Sequence, residues 1–267
     1  MMTFFAVIQR NWLIYSRNFP IAFFINRVMG ETYSIISVWL LYEFLFLNTV
    51  STNFYSLTGT KDYLTYAVIG IAFYNFAVAT LMNSGRSLIT ELREGTLNSL
   101  LITPYSRWGY FIGIFIEQLL RALLEFFILM CIGLLFGANL TDIPLIYWLI
   151  TLTFASVCFF SMSLMLSNIM LSFRDTFLSQ NTLFLIMLVI CGVTFPTEFL
   201  PEWIQWLSYL IPLTQVLELF RILTLSESFN EVSFLIISGL LVSGIYLLVG
   251  YFWYLKVERK LSATSFD

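Results

Sequence analysis

Residues 143–171 read IPLIYWLITLTFASVCFFSMSLMLSNIML and contain no Asp, Glu, Lys or Arg. A helix needs about 20 predominantly apolar residues to cross the hydrocarbon core of a bilayer, and this stretch is long enough. A soluble helix of the same length would carry a charged face toward water. The stretch therefore predicts a transmembrane helix and an all-α integral membrane fold.

Other apolar stretches of similar length satisfy the same criterion. They lie at 22–47, 64–85, 109–137, 177–195 and 232–255. The composition agrees, because 59% of residues are hydrophobic and 11% are charged, whereas a soluble domain carries about 25% charged residues. We therefore expect one domain over residues 1–267 with six transmembrane helices, whose surface is covered largely by the lipid bilayer.

The composition also excludes several classes of function. The chain has no His, which removes histidine general bases and most zinc sites. Its net charge of −3 offers no basic face for nucleic acid. Cys131, Cys158 and Cys191 lie inside apolar runs, which predicts buried thiols rather than disulfides or metal ligands. No metal and no cofactor is expected in this chain.

Lys and Arg residues are retained on the cytoplasmic side of membranes, and here they divide unevenly. The side that holds both chain ends collects Arg10, Arg17, Arg27, Arg86, Arg93, Arg107, Arg174, Lys256, Arg259 and Lys260. The opposite side collects only Lys61 and Arg221. We expect a multi-pass protein of the plasma membrane, the inner membrane of a bacterium, with both termini in the cytoplasm.

The N-terminal segment 1–20 has the pattern of an amphipathic helix. Its large apolar residues fall on one helical face, opposite Arg10 and Arg17, and Pro20 ends the helix. Such a helix lies flat in the membrane interface with its charges in water. A frayed polar tail is the alternative.

The segment 196–231 is too long and too apolar for an ordinary loop. Pro201 and Pro212 divide it into pieces that are each too short to cross the membrane. Backbone at membrane depth must satisfy its hydrogen bonds internally, which favours two short helices that enter the membrane and return. The distribution of Lys and Arg places this re-entrant hairpin on the outer side, before the last span.

The most informative polar stretch is the cytoplasmic loop 86–108, in which residues 86–107 read RSLITELREGTLNSLLITPYSR. It mixes charges of both signs with leucines near helical spacing and stops at Pro104. This pattern predicts a short amphipathic helix outside the membrane. Such a helix is either a docking face for another protein or a solvated loop helix without a partner.

Three motifs in order resemble the permease subunits of the ABC-2 family of ATP-binding-cassette transporters. Residues 91–104 match an E-x-x-x-GTL-x-x-LL-x-TP signature, and residues 171–175 resemble the short inner turn between spans four and five. A third match surrounds the outer re-entrant helices. It comprises Phe195, Pro196, Leu200, Pro201, Trp203, Trp206, Pro212, Leu213, Thr214, Glu218 and Arg221.

The resemblance implies a complex of two permease subunits, a homodimer or a pseudo-symmetric pair, with two ATPase subunits. ATP-driven closure would pass through the N-terminal helix and the first cytoplasmic loop. The implied contact with the ATPase comprises Glu91, Arg93, Glu94, Gly95, Thr96 and Leu97. The chain contains no G-x-x-x-x-G-K-[ST] phosphate loop, so ATP and Mg would be bound by the partner and this chain would be no enzyme.

Glu117, Arg121 and Glu125 lie four residues apart in the third span and so share one helical face. Ionised groups at this depth are costly unless they are paired or wetted. They either pair with one another and pack the helix, or line a translocation path or the seam between two subunits.

These features favour the permease subunit of an exporter for an amphipathic substrate: a drug, a lipid, a peptide or a lipid-linked glycan. Self-resistance against a toxic peptide and a membrane subunit without transport are the alternatives. An intramembrane enzyme built on Glu117 and Glu125 is disfavoured, because Arg121 lies between them and no nucleophile is evident.

Overall fold

The computed structural model describes residues 21–45, 52–60, 62–96, 107–173, 177–225 and 229–264. Within these ranges every regular element is helical and none is a strand. The expected interfacial helix, 1–20, lies outside the described residues. The helices are α1 (Ile21–Leu40), continued by a π-helical turn (Leu41–Leu45), α2 (Thr52–Thr58), α3 (Tyr63–Arg93), α4 (Arg107–Leu135), α5 (Leu145–Phe173), α6 (Phe177–Ile190), a 3-10 turn (Thr197–Phe199), α7 (Glu202–Ser208), α8 (Pro212–Leu225) and α9 (Phe229–Thr264).

The all-helical class predicted from the sequence is confirmed, and each of the six apolar stretches contains a helix. Four helices in the described part of the chain, α3, α4, α5 and α9, are long and apolar enough to cross a membrane. The helices α7 and α8 enclose an angle of 95° and would add one more candidate if the pair were a single broken span. Length and composition therefore support four or five spans.

Helix α3 is longer than the sequence predicted. Residues 86–93, expected to begin a separate loop helix, continue α3 without a break. Nothing between Tyr63 and Arg93 is a proline, and the helix ends only where Gly95 adopts a positive φ of 73°. At the other terminus the Asp62 carboxylate caps the helix by accepting the Thr65 N–H at 3.0 Å.

An aromatic cluster joins four helices in the core. Phe73 of α3 lies 5.2 Å from Phe126 of α4 and 5.3 Å from Phe220 of α8, measured between ring centroids. Trp148 of α5 completes the cluster at 4.3 Å from Phe220. Phe73, Phe126 and Phe220 are almost fully buried. Such pairs each contribute about 0.5–1.5 kcal/mol beyond the burial of their area, so this cluster fixes α8 against the long helices.

Side-chain contacts fix the directions of the helices. Tyr110 contacts Glu91 and Asn139 contacts Asp62, so α4 runs antiparallel to α3. We call the two ends of the bundle the Arg93 end and the Tyr63 end. Helix α5 runs from the Tyr63 end to the Arg93 end, because Leu166 in its second half lies beside Gly85 of α3. Helix α9 runs in the same direction, because the Asn168 side chain near the end of α5 donates to the Gly250 carbonyl in the second half of α9 at 2.9 Å.

Helices α7 and α8 leave from the Tyr63 end and return to it. Helix α6 arrives there, since Val193, which follows it, touches the backbone of α3 at Gly70. A Cβ atom on Gly70 would lie 1.8 Å from the Val193 carbonyl oxygen, so only glycine permits this approach. Beyond the bend, Arg221 near the end of α8 again reaches α3, at Tyr66. Helix α9 then begins at the same end.

Candidate functional site

The family-like motif forms a closed turn at the Arg93 end. Gly95 has a positive φ of 73°, which L residues with a side chain rarely adopt, and its N–H donates to the Leu92 carbonyl at 3.2 Å. The Thr96 N–H donates to the Glu91 carbonyl at 3.0 Å, and the Thr96 hydroxyl donates to the Glu91 carboxylate. Tyr110 of α4 also donates to that carboxylate, at 3.2 Å. Glu91 therefore ties the turn to two helices.

The residues expected to contact an ATPase fall into two groups. Glu91 is buried, with 6% of its surface exposed. Arg93, Glu94, Gly95 and Thr96 are exposed around it, and Leu97 lies outside the described residues. The turn therefore presents the four exposed residues to a partner, whereas Glu91 shapes the turn from inside.

The leucines that precede this turn face the chain's own core. Leu88 is 1% exposed and Leu92 is half-buried. Leu100 and Leu101, which the sequence placed on the same amphipathic face, lie outside the described residues. In the described part of the motif, then, the surface open to a partner is the polar turn itself.

The charged row of α4 lies on the buried side of its helix. Arg121 donates to the Glu117 carboxylate one turn earlier, a pair that the packing alternative expects. Glu117 and Glu125 are buried and Arg121 is largely so, while Leu120 and Leu124 carry the exposed side of α4. The row is enclosed within the single chain, and its charges are partnered there.

The prolines and tryptophans predicted for the hairpin mark its boundaries. Pro196 is buried and begins the 3-10 turn, Pro201 precedes α7, and Pro212 is the first residue of α8. Trp203 and Trp206 are 65% and 77% exposed. Large exposed indoles on a short helix are typical of a segment at a membrane interface.

Arg221 connects three segments at the Tyr63 end. Its Nη2 donates to the Gly192 carbonyl at 2.7 Å, and its guanidinium carbon lies 3.8 Å from the centre of the Tyr66 ring. Gly192 has a positive φ of 73°, and a Cβ there would lie 3.4 Å from Arg221 Nη1. The guanidinium thus holds α8, α3 and the turn after α6 together, through a hydrogen bond and a cation–π contact.

Glu218 lies one turn before Arg221 on α8, which is not one of the four long apolar helices. Burial raises the pKa of Glu218 to about 7, and the nearby Glu198 carboxylate adds to the rise. Hydrogen bonds from Tyr209 and Thr197 and the charge of Arg221 oppose it. Burial therefore shifts the protonation equilibrium of Glu218 toward its neutral form.

Two cavities flank the Tyr66–Arg221 contact. The larger has a volume of about 520 Å³ and is bordered by Glu198, Tyr209 and Glu218 as well as by the contact itself. The smaller, of about 260 Å³, lies on the side of Asp62 and Asn139. The larger volume falls within the range of about 300–1,000 Å³ that is usual for small-molecule sites.

The sequence identified Arg221, Glu218 and Pro196 through a motif but did not identify Tyr66 and Gly192, which Arg221 contacts. Tyr66 sits in an apolar stretch, and nothing local signals that it meets a residue far along the chain. Gly192 gave no signal either. Among the described residues, no group of three acidic or Cys side chains is arranged to hold a metal ion.

Comparison with known proteins identifies relatives over most of the chain. The profile of the family described as "ABC-2 type transporter" matches residues 2–225. The "Putative transport permease ycf38" of Cyanophora paradoxa is 29% identical over 213 residues, which cover 75% of this chain and 73% of that protein.

The "Probable multidrug ABC transporter permease YbhR" of Escherichia coli K12 is 22% identical over 172 residues, 62% of this chain. The same 22% identity is found with the protein of that name in Escherichia coli O157:H7. The match spans only 45% of the length of these Escherichia coli relatives.

Proposed function

Because this chain belongs to the ABC-2 type transporter family, we propose that it is the membrane-spanning permease subunit of an ATP-driven exporter for amphipathic substrates. The ATP and Mg are bound by a separate ATPase subunit, present in two copies. Two permease subunits, in a homodimer or a related pair, form the path. The names of the relatives, a transport permease and a multidrug ABC permease, support this assignment.

The proposed topology has six spans and a re-entrant hairpin. Helix α1 with its π-helical extension and the short helix α6 supply the two crossings that do not meet the combined criterion of length and apolar composition. The hairpin is α7 with α8, since α6 arrives at the Tyr63 end and α9 departs from it. If α7 and α8 together formed one full crossing, α9 would begin at the Arg93 end instead.

The Tyr63 end is the outer side in this proposal. Arg86, Arg93 and Lys256 belong to the Arg93 end, which is the cytoplasmic side by the distribution of positive charge. Both termini then lie in the cytoplasm, and the protein resides in the plasma membrane.

One observation carries the proposal: the family motif ends the most buried long helix in a polar turn closed by hydrogen bonds. Glu91 locks the turn to α3 and α4, and Arg93, Glu94, Gly95 and Thr96 project from it. A partner that pushes on this turn moves α3, because no flexible linker intervenes. We assign the turn, with Leu97, as the contact through which the ATPase drives the permease.

The Glu117–Arg121–Glu125 row is assigned to packing in this proposal rather than to the path. Its side chains face inward, and Arg121 is paired within its own helix. The path then lies at the seam between two subunits.

Inverted membrane vesicles provide the test. Vesicles containing this chain and its ATPase should take up a fluorescent amphipathic dye on addition of ATP. Vesicles whose ATPase lacks its phosphate-loop lysine should not. ATP-dependent uptake that persists without this chain would refute the assignment.

A further inference from the structure

The larger cavity at the Tyr63 end has an acidic and aromatic lining. Glu198 and Glu218 contribute carboxylates, Tyr66 and Tyr209 contribute rings, and Arg221 contributes the single guanidinium among the described lining residues. When both carboxylates are ionised, the lining carries two negative charges and one positive. The cavity lining then has a net negative charge.

The positive charge of Arg221 is directed at the protein. One face of the guanidinium is covered by the Tyr66 ring, and Nη2 is bonded to the Gly192 carbonyl. Nη1 packs against Gly192, since a Cβ atom added to that glycine would lie 3.4 Å from Nη1. An anion bound through either Nη atom would have to displace these contacts, which fix the turn after α6. Arg221 Nε is buried and has no hydrogen-bond partner among the described residues, so Arg221 keeps one unused donor besides its structural contacts.

The Glu218 carboxylate also retains an unused acceptor. Glu218 Oε1 is buried and has no hydrogen-bond partner among the described residues. Glu198 is exposed at the rim of the cavity. A buried acceptor without a donor is costly, and a donor or a positive charge in the cavity would remove that cost.

The surroundings add to the negative field. The described acidic residues at the Tyr63 end include Glu43, Asp62, Asp142, Glu198, Glu202, Glu218 and Glu231. Arg221 is the sole basic residue among the described residues at this end. Such an excess of one sign raises the local concentration of the opposite ion.

We propose that this cavity binds the charged group of an amphipathic organic cation. Glu198 and Glu218 supply the counter-charge, and the rings of Tyr66 and Tyr209 supply cation–π contact. Binding itself requires only this chain. Its role as an exit-side subsite rests on the proposed export function, and it narrows the substrate class of that function to cations.

Equilibrium binding to the purified full-length chain in lipid nanodiscs tests this inference. The probes are radiolabelled tetraphenylphosphonium and tetraphenylborate, which share size and shape and differ in the sign of their charge. Empty nanodiscs correct for partition into lipid. We expect saturable binding of tetraphenylphosphonium at least tenfold tighter than that of tetraphenylborate.

Two variants and a control locate the site. Glu198→Gln and Glu218→Gln should each weaken tetraphenylphosphonium binding about tenfold, since each removes one negative charge. Glu202→Gln removes an exposed carboxylate on the same end that does not border the cavity, and should change the affinity less than twofold. Thermal unfolding and gel filtration show whether each variant is folded; the exposed position of Glu198 makes that variant the safer of the two.

The pH dependence gives an independent readout. Deprotonation of Glu218 strengthens cation binding, so the affinity should rise between about pH 6 and about pH 8. Glu198, Tyr209, Thr197, Arg221 and Tyr66 surround this carboxyl, and burial raises the pKa of the Tyr209 hydroxyl further above this range. The rise should disappear in Glu218→Gln.

Three results would overturn the inference: no saturable binding of the cation, equal or tighter binding of the anion, or unchanged binding in folded Glu198→Gln and Glu218→Gln. None of these bears on the ATPase partner. If binding fails while ATP-driven dye uptake in vesicles persists, the cation site alone is wrong.

Discussion

At the scale of single residues, Glu91 and Glu94 show how adjacent carboxylates in one motif differ in role. Glu91 is buried and accepts hydrogen bonds from Thr96 and Tyr110, whereas Glu94 is exposed on the outside of the same turn. A sequence motif cannot separate the two, because both are acidic residues near a glycine. The two residues differ because the fold directs the Glu91 side chain inward and the Glu94 side chain outward.

Charge reversal at the two positions should therefore have different effects. Glu94→Lys should leave thermal stability within about 0.5 kcal/mol, as is usual for exposed sites, and should reduce transport-coupled ATPase activity at least fivefold. Glu91→Lys buries a charge beside the Tyr110 hydroxyl and should destabilise the chain by about 3 kcal/mol or more. The two readouts are ATPase activity of the reconstituted complex and thermal unfolding of the permease.

The assignment of the turn as the ATPase contact would be contradicted if the complex with Glu94→Lys kept its full transport-coupled ATPase activity. Glu202→Lys, an exposed reversal at the opposite end of the bundle, is the control for a general effect of charge.

Arg121 offers a second residue-scale prediction. Arg121→Gln leaves the buried Glu117 carboxylate without its cation and should destabilise the chain by about 3 kcal/mol. The double variant Arg121→Gln with Glu117→Gln should recover at least half of that loss, because both charges are then absent. Thermal unfolding in detergent measures both.

If the row lines a path instead, the outcome differs. Arg121→Gln would then be as stable as the wild type and would change transport alone.

At the scale of elements, the hairpin is held by close backbone packing as well as by side chains. Val193 follows α6 and touches α3 at Gly70, and Phe220 of α8 packs into the aromatic cluster of the long helices. These contacts hold two short helices that could not be stable by themselves at this length.

Gly70→Ala should be strongly destabilising, by about 3 kcal/mol or more, because the new methyl group would overlap the Val193 carbonyl and a backbone atom cannot move aside. Gly244→Ala is the matched control in α9, where no atom lies within 4 Å of the added Cβ, and should be neutral or slightly stabilising. Thermal unfolding compares them. Equal stability of the two variants would show that α3 and the turn after α6 do not pack this closely.

The elements also show what the sequence could and could not predict. The helices were predictable because apolar length is a local property, and Pro201 and Pro212 marked the hairpin for the same reason. The end of α3 was placed too early, at 85, because polar residues suggested a loop while the helix continues until Gly95 adopts a positive φ. The cavity was not predictable, since the contact of Tyr66 with Arg221 joins distant parts of the chain.

At the scale of the whole molecule, the proposed orientation separates two surfaces. The polar turn at the Arg93 end faces the cytoplasm and its ATPase, and the acidic cavity at the Tyr63 end faces outward. An exporter needs this arrangement, since energy enters on one side and cargo leaves on the other.

Cysteine labelling of intact cells tests the orientation. The sequence predicted a buried thiol at Cys131, but this thiol is exposed in the structure. In a Cys131→Ser background, a membrane-impermeant maleimide should label Glu202→Cys and should not label Glu94→Cys. Permeabilised cells should show both labelled. The reverse pattern would place the polar turn outside and would invert the account.

The central claim is that this chain is a permease driven by a separate ATPase, and co-purification tests it most directly. The measurement is quantitative mass spectrometry of the tagged full-length chain, extracted in mild detergent from its own organism. The account predicts a phosphate-loop ATPase at about one copy per permease chain, with ATP hydrolysis in the purified complex that falls in Glu94→Lys. A folded chain that purifies repeatedly without any such ATPase would contradict it.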